Sequence, residues 1–259
     1  MREKLLLLRA FFKKEWIILK RYSVNSLGGI LTMYVIFLML FAGYKGVSNL
    51  AGIEGDTMEG LVVGYALWVF LLITYQDISF TLRIESQEGT LEQLYMSPHG
   101  IGWVMGAKVA ASFLINLLIM AIILFITMLT SGVSLNLDFF SLLPVLVGTL
   151  FSSLAMGFLV GGLTLIFKRI DSYTQMIQFI WIAFISLPAN QIFWMRLLPG
   201  SYGATLVRNI TISNQNLIQI GLNQLLFLYI IGSTHLAIGY GIYKLCERKA
   251  MREGMLGHY

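Results

Sequence analysis

Apolar positions in this chain fall in long blocks, unlike the period-two alternation of strands or the narrow stripes of soluble helices. A hydrocarbon core about 30 Å thick calls for roughly 20 mostly apolar residues per helix. Six stretches meet or approach that length: Leu27 to Gly43, Leu61 to Thr81, Trp103 to Thr130, Phe139 to Phe167, Tyr173 to Met195 and Leu217 to Leu245. The fifth is the weakest, because Gln175, Gln178, Ser186, Pro188, Asn190 and Gln191 interrupt it. Pro188 removes a backbone donor and predicts a kink. The pattern as a whole predicts an all-α integral membrane protein, with six transmembrane helices in a single domain over residues 1–259.

Ahead of the first block, Leu5, Leu8, Phe12, Trp16 and Leu19 recur at three- and four-residue spacing, with Arg9, Lys13, Lys14, Lys20 and Arg21 opposite. This is an amphipathic interfacial helix over residues 1–24, whose basic side anionic lipid attracts at about 1 kcal/mol per residue. Lys4 and Glu15 interrupt the pattern. The helix either anchors the chain on the membrane surface or also touches a cytoplasmic partner, and the two roles are compatible. Leu5 to Leu8 is too short an apolar core for a cleavable signal peptide.

Composition agrees with a lipid environment: 57% of the 259 residues are hydrophobic and 12% charged, against roughly 25% charged in soluble domains. The single Cys246 excludes an internal disulfide and a cysteine metal cluster. A net charge of +5 raises nucleic acid as a partner. The positions of the charges remove it. With the amino terminus inside, 15 of the 18 Lys and Arg residues are cytoplasmic and only Lys45, Arg196 and Arg208 lie outside, as the positive-inside rule requires. Both termini are then cytoplasmic. The loops around Glu54, Asp56 and Glu59 and around Asp138 are too short for an external domain.

The longest polar cytoplasmic loop, residues 83–100, joins spans 1–2 (25–82) to spans 3–5 (101–195). Within it, Thr90 and Gln93 have the spacing of a capping box, Glu92 suits the positive end of a helix dipole, and Pro98 ends the segment. About two turns of helix are expected, with Leu91, Leu94 and Tyr95 forming an apolar ridge. Such a ridge fits a partner's groove, or packs on the protein's own helix ends.

The run E-G-T-L-E-Q-L-Y-M-S-P, followed by Gly106 and Lys108, resembles the ABC type 2 exporter permease family. Glu88, Gly89, Thr90, Leu91, Glu92, Leu94, Ser97 and Pro98 match the family's pattern, while Tyr95 and His99 depart from it. The resemblance implies that residues 88–98, Tyr95 included, form the coupling helix that docks on a separate cytoplasmic ABC ATPase. It also implies a second permease copy, as homodimer or related heterodimer, and no cofactor in this chain, with ATP and Mg held by the ATPase. The outer segment 196–216, with M-R-L-L-P-G-S-Y-G-A-T-L-V-R at Met195 to Arg208, is similar to the family's re-entrant stretch. Span 6 (217–245) and a cytoplasmic tail (246–259) follow.

Other candidates are weaker. His235 reads as a haem ligand, a proton relay or an interhelical hydrogen bond; no second His or buried carboxylate accompanies it at helical spacing, which favours the hydrogen bond. Asp77 is the one carboxylate well inside a span, one turn from Arg83, where pairing or snorkelling outweighs ion coupling. Ser153, Gly157 and Gly161, and likewise Gly102 and Gly106, have the spacing of close helix packing, within one chain or between two. Asn116, Gln175, Gln178, Asn190 and Gln191 either line a pathway or act as buried glue. The sequence has no P-loop, no Gly-x-Ser-x-Gly elbow and no His-Glu-x-x-His, so an enzyme is not expected.

The expectation is thus the permease subunit of an ATP-driven exporter in a prokaryotic cytoplasmic membrane, embedded in membrane lipid and moving a small lipophilic substrate such as a drug, antibiotic or lipid. The alternatives are an ATP-independent secondary carrier, which would show internal repeats with paired broken helices, and a membrane immunity or assembly protein.

Overall fold

The computed structural model describes residues 2–51, 57–87, 100–167, 170–187, 189 and 192–253. Among these lie ten helices and no strand: α1 (Arg2–Arg21), α2 (Ser23–Ala51), α3 (Thr57–Gln87), α4 (Gly100–Ser131), α5 (Phe139–Ile166), α6 (Asp171–Ser186), α7 (Phe193–Arg196), α8 (Ser201–Thr211), α9 (Leu217–Ile220) and α10 (Leu222–Arg252). Five contain spans long and apolar enough to cross a membrane, at Ser23–Gly46, Met58–Ile84, Trp103–Ser131, Phe139–Ile166 and Leu222–Arg252. This is a multi-pass helical membrane protein.

The expected fifth span is not one helix. α6 has 16 residues, roughly 24 Å at 1.5 Å per residue, and stops at Ser186. Leu187 then turns extended at φ −68° and ψ 139°, as befits a residue whose α conformation the following Pro188 disfavours. The kink expected at Pro188 falls outside the described residues. The sixth expected span is also interrupted, because Gly221 at φ 77° separates α9 from α10, a conformation that glycine tolerates and other residues resist.

α3 and α5 form the centre of the bundle: 67% of the α3 span is buried, against 6% of the α2 span, which therefore presents nearly its whole surface outward. Small residues on two faces of α5 explain the packing. On one face, Ser153 donates to the Leu71 carbonyl at 2.8 Å, while Gly157 lies against Tyr75 and Ile78 and Gly161 against Leu82. On the other, a Cβ on Gly232 or Gly239 of α10 would run into the backbone carbonyls of Gly148 and Ala155, and one on Gly162 would meet Tyr243. Without a hydrophobic drive between helices in lipid, this close approach and its van der Waals contacts hold the bundle together. The Ser153, Gly157 and Gly161 stripe thus packs within one chain, on α3. Gly106 of α4, by contrast, has nothing against it.

α1 lies along α4 and leaves Leu8, Phe12 and Trp16 more than a third exposed, so one side packs on protein and the other faces outward. α8 is short but mostly buried. It begins at Gly200, against Leu71 and Trp181, and passes Thr149 at Gly203. It ends at Thr211, whose carbonyl accepts from the Asn136 N–H at 3.1 Å. Thr149 and Leu71 sit midway along α5 and α3, so α8 starts at mid-height and climbs to one end.

Candidate functional site

The starts of α2, α4 and α6 and the ends of α3, α5 and α10 gather at one end of the bundle, with Arg83, Lys108, Lys249 and Arg252 among them. At this basic end a cavity of about 540 Å³ opens between α1, α3, α4, α5 and α6. Its polar lining comes from Glu15 of α1, Gln76, Asp77 and Thr81 of α3, Asn116 of α4 and Gln175 of α6, with Phe80, Ile73 and Ile115 as apolar walls.

Asp77 and Lys108 face each other at 4.0 Å, and the Lys108 ammonium also donates to the Thr81 hydroxyl. The partner that Asp77 finds is therefore Lys108, across the α3–α4 seam; Arg83 instead stacks on Phe80, 4.6 Å from the ring centroid. Asn116 is buried, with its amide 3.5 Å from the Thr74 hydroxyl. The buried Ser112 hydroxyl, also on the wall, has no hydrogen-bond partner among the described residues. Burial pushes the Glu15 carboxyl up; Asp77 raises it further, and Lys108 and Lys14 draw it back. The cavity thus holds two carboxylates and the Arg83 guanidinium, with Lys108 paired to Asp77 at its edge, in a partly desolvated space where charge acts more strongly than in water.

Of the residues expected to line a pathway, Asn116 and Gln175 come together here. Gln178 does not join them; its backbone carbonyl accepts from Trp68 Nε1 at 3.0 Å. Asn190 and Gln191 lie outside the described residues, as does the whole expected docking segment, Glu88, Gly89, Thr90, Leu91, Glu92, Leu94, Tyr95, Ser97 and Pro98. The sequence did not single out Gln76, and it showed Glu15 and Lys108 only as a break in an amphipathic stripe and as part of a motif, not as neighbours of Asp77. For Glu15 the signal was present, since an acid that interrupts an amphipathic stripe next to protein marks a place where the helix packs on something polar. His235 is satisfied at both ring nitrogens, 3.1 Å from the Ser152 hydroxyl and 2.9 Å from the Leu197 carbonyl. That is the interhelical hydrogen bond, and it leaves neither nitrogen free to ligate a metal.

A family model described as CcmB protein matches residues 11–173. The chain belongs to the CcmB family. The match takes in the second half of α1, all of α2 to α5 and the start of α6, and so reaches every helix that walls the basic-end cavity. It corrects the reading drawn from the 88–98 run: the CcmB family, and not the ABC type 2 drug-exporter family, is where this chain falls, and a drug or antibiotic cargo goes with the discarded assignment. A CcmB protein is the membrane component of an ABC-type haem exporter in cytochrome c maturation, with the ATPase on a partner chain. Membership of ABC permeases in the broad sense therefore stands, and the specific motif assignment does not. No curated protein and no solved structure matches the chain.

Proposed function

We propose that this CcmB-family chain is the permease subunit of an ABC exporter whose cargo is haem, and that the basic-end cavity is where cargo enters. The family match across residues 11–173 carries the proposal. The cavity supports it chemically: haem combines a flat apolar ring with two carboxylates, and the lining sets Phe80, Ile73 and Ile115 beside Arg83, with Lys108 held next to it by the lining residues Asp77 and Thr81. Charge-assisted hydrogen bonds to carboxylates are the strong ones, and Arg offers a bidentate fork. Axial ligation is not part of this reading, since no His is among the described residues of the lining.

In mechanism, the protein sits in the cytoplasmic membrane with both termini inside, six membrane passes counting α6, and two copies meeting two ATPases. The segment 88–99 docks on the ATPase. α3 runs without a break to Gln87, and α4 begins at Gly100, so a push on that segment travels directly into the two helices that carry Asp77 and Lys108. Closure of the ATPases would separate or realign this pair, and ATP drives the change only if the docked state binds the ATPase differently in its two forms. No bond is made or broken in this chain.

The test is reconstitution of the full chain with its ATPase in proteoliposomes loaded with haem. Leu91→Asp with Leu94→Asp is expected to abolish haem-stimulated ATP hydrolysis and co-purification of the ATPase, while the chain still inserts. Haem export by the chain alone, or full coupling in the double variant, would overturn the reading.

A further inference from the structure

At the end of the bundle away from the basic cavity lies a second, smaller pocket of about 230 Å³, between α2, α3, α6 and α8. Leu40, Leu61, Trp68, Ile182 and Ile185 make its walls apolar, and Leu40 and Ile182 stay 46% and 40% exposed, so its mouth opens on the outer surface of the bundle. The polar groups in its lining are almost all consumed by backbone carbonyls. The Tyr65 hydroxyl donates to Met33, Trp68 Nε1 to Gln178 at 3.0 Å and the Ser186 hydroxyl to Ile182 at 2.8 Å.

Arg208 is the exception. Its guanidinium reaches from α8 into the pocket beside Gly64, where an added Cβ would lie 3.4 Å from it. Among the described residues no carboxylate comes within ion-pair distance of it, and no hydrogen bond engages it. A cation held against apolar walls without a counter-charge is costly, and a guanidinium fork matches carboxylate and phosphate geometry. An apolar trough that opens sideways beneath such a fork fits an amphiphile whose acid group sits at the guanidinium and whose chain lies along the trough.

We infer that this pocket binds the phosphate of an acidic phospholipid, with one acyl chain running between α2 and α6 past Leu40 and Ile182. The lipid would supply the counter-charge that none of the described residues provides, and would tie the buried helix α8 to the outwardly exposed α2. The inference does not depend on what the cavity at the basic end carries.

The test uses the full-length chain in nanodiscs of phosphatidylcholine doped with phosphatidylglycerol, with native mass spectrometry to count retained lipids. Wild type is expected to retain phosphatidylglycerol preferentially, and Arg208→Gln to lower that preference roughly fivefold, the worth of one basic residue at a lipid surface, without changing phosphatidylcholine. Arg208→Lys should keep part of the preference. Gly64→Leu, which fills the pocket while sparing the charge, should lower it as Arg208→Gln does. An undiminished phosphatidylglycerol preference in both Arg208→Gln and Gly64→Leu overturns the inference. So does a loss confined to haem, titrated by its absorbance, because the pocket then belongs to the cargo.

Discussion

The basic-end cavity and the Arg208 pocket put charge to opposite uses. At the basic end Glu15, Asp77 and Arg83 line one space, and Lys108 closes on Asp77 across the α3–α4 seam at 4.0 Å. At the far end one guanidinium faces apolar walls without a protein counter-ion among the described residues. A balanced cluster can exchange partners within itself at little energetic change, which suits a chamber whose contents come and go. A lone cation instead demands an external anion, which suits a site that stays filled. The stripe Ser153, Gly157 and Gly161, locking α5 to α3, keeps the two apart. The comparison teaches that net charge says little about such a protein until each charge is given a neighbour.

The largest effect should come from breaking the balance at the basic end. Lys108→Met removes the ion-pair partner of Asp77 and takes a donor from Thr81. Removing one partner of a fully buried pair costs roughly 3–5 kcal/mol. Here the side chains keep 17% and 31% exposure, so a loss of about 2 kcal/mol is expected in detergent-solubilised thermal unfolding. Asp77→Asn in the same chain should restore more than half of it. Equal losses in the single and double variants would mean that the pair carries no coupling. The far pocket should keep its lipid in both variants, since none of its lining residues is shared with the basic-end cavity.

A smaller effect should run the other way. His235 holds Ser152 of α5 and the Leu197 carbonyl, just ahead of α8, and thereby sets where α8 starts and where Arg208 arrives. His235→Ala is expected to cost about 1–2 kcal/mol through the unpaired Leu197 carbonyl and to weaken phosphatidylglycerol retention, while haem binding at the basic end is unchanged. Loss of a haem absorbance signature in this variant would return His235 to the role of ligand.

Much of this architecture was legible in the sequence because a bilayer leaves few choices: every backbone group must be satisfied inside its own segment, so long apolar blocks become helices. α2, α3, α4 and α5 fall where those blocks lie, and the weakness foreseen after Ser186 is where α6 stops. What could not be read is which faces meet. Asp77 lies one turn from Arg83 in sequence, yet its partner is Lys108, on another helix, because the α3–α4 register is fixed by packing and not by local spacing. The cluster at Glu15 needed α1 to lie against α4, which its amphipathic stripe alone does not announce. The family was missed for a different reason: the resemblance was drawn from one short loop, whereas the family match rests on residues 11–173 as a whole.

The finest distinction between the two cavities should appear in pH. Burial and Asp77 raise the Glu15 carboxyl above its usual 4.5 in the folded protein. The folded state therefore binds more protons than the unfolded one just above that value, and stability falls as pH rises through the window between 4.5 and the raised value. Below 4.5 the carboxyl is protonated in both states and carries no penalty; above the window the full penalty of a charged, half-buried acid applies. Glu15→Gln should flatten this slope and leave the low-pH stability nearly unchanged, read as the difference in unfolding temperature between pH 4 and pH 7. Arg208 keeps its charge throughout that range, so lipid retention at the far pocket should show no matching step. A slope that survives Glu15→Gln would move the titrating group elsewhere and remove Glu15 from the charge cluster that distinguishes the basic end.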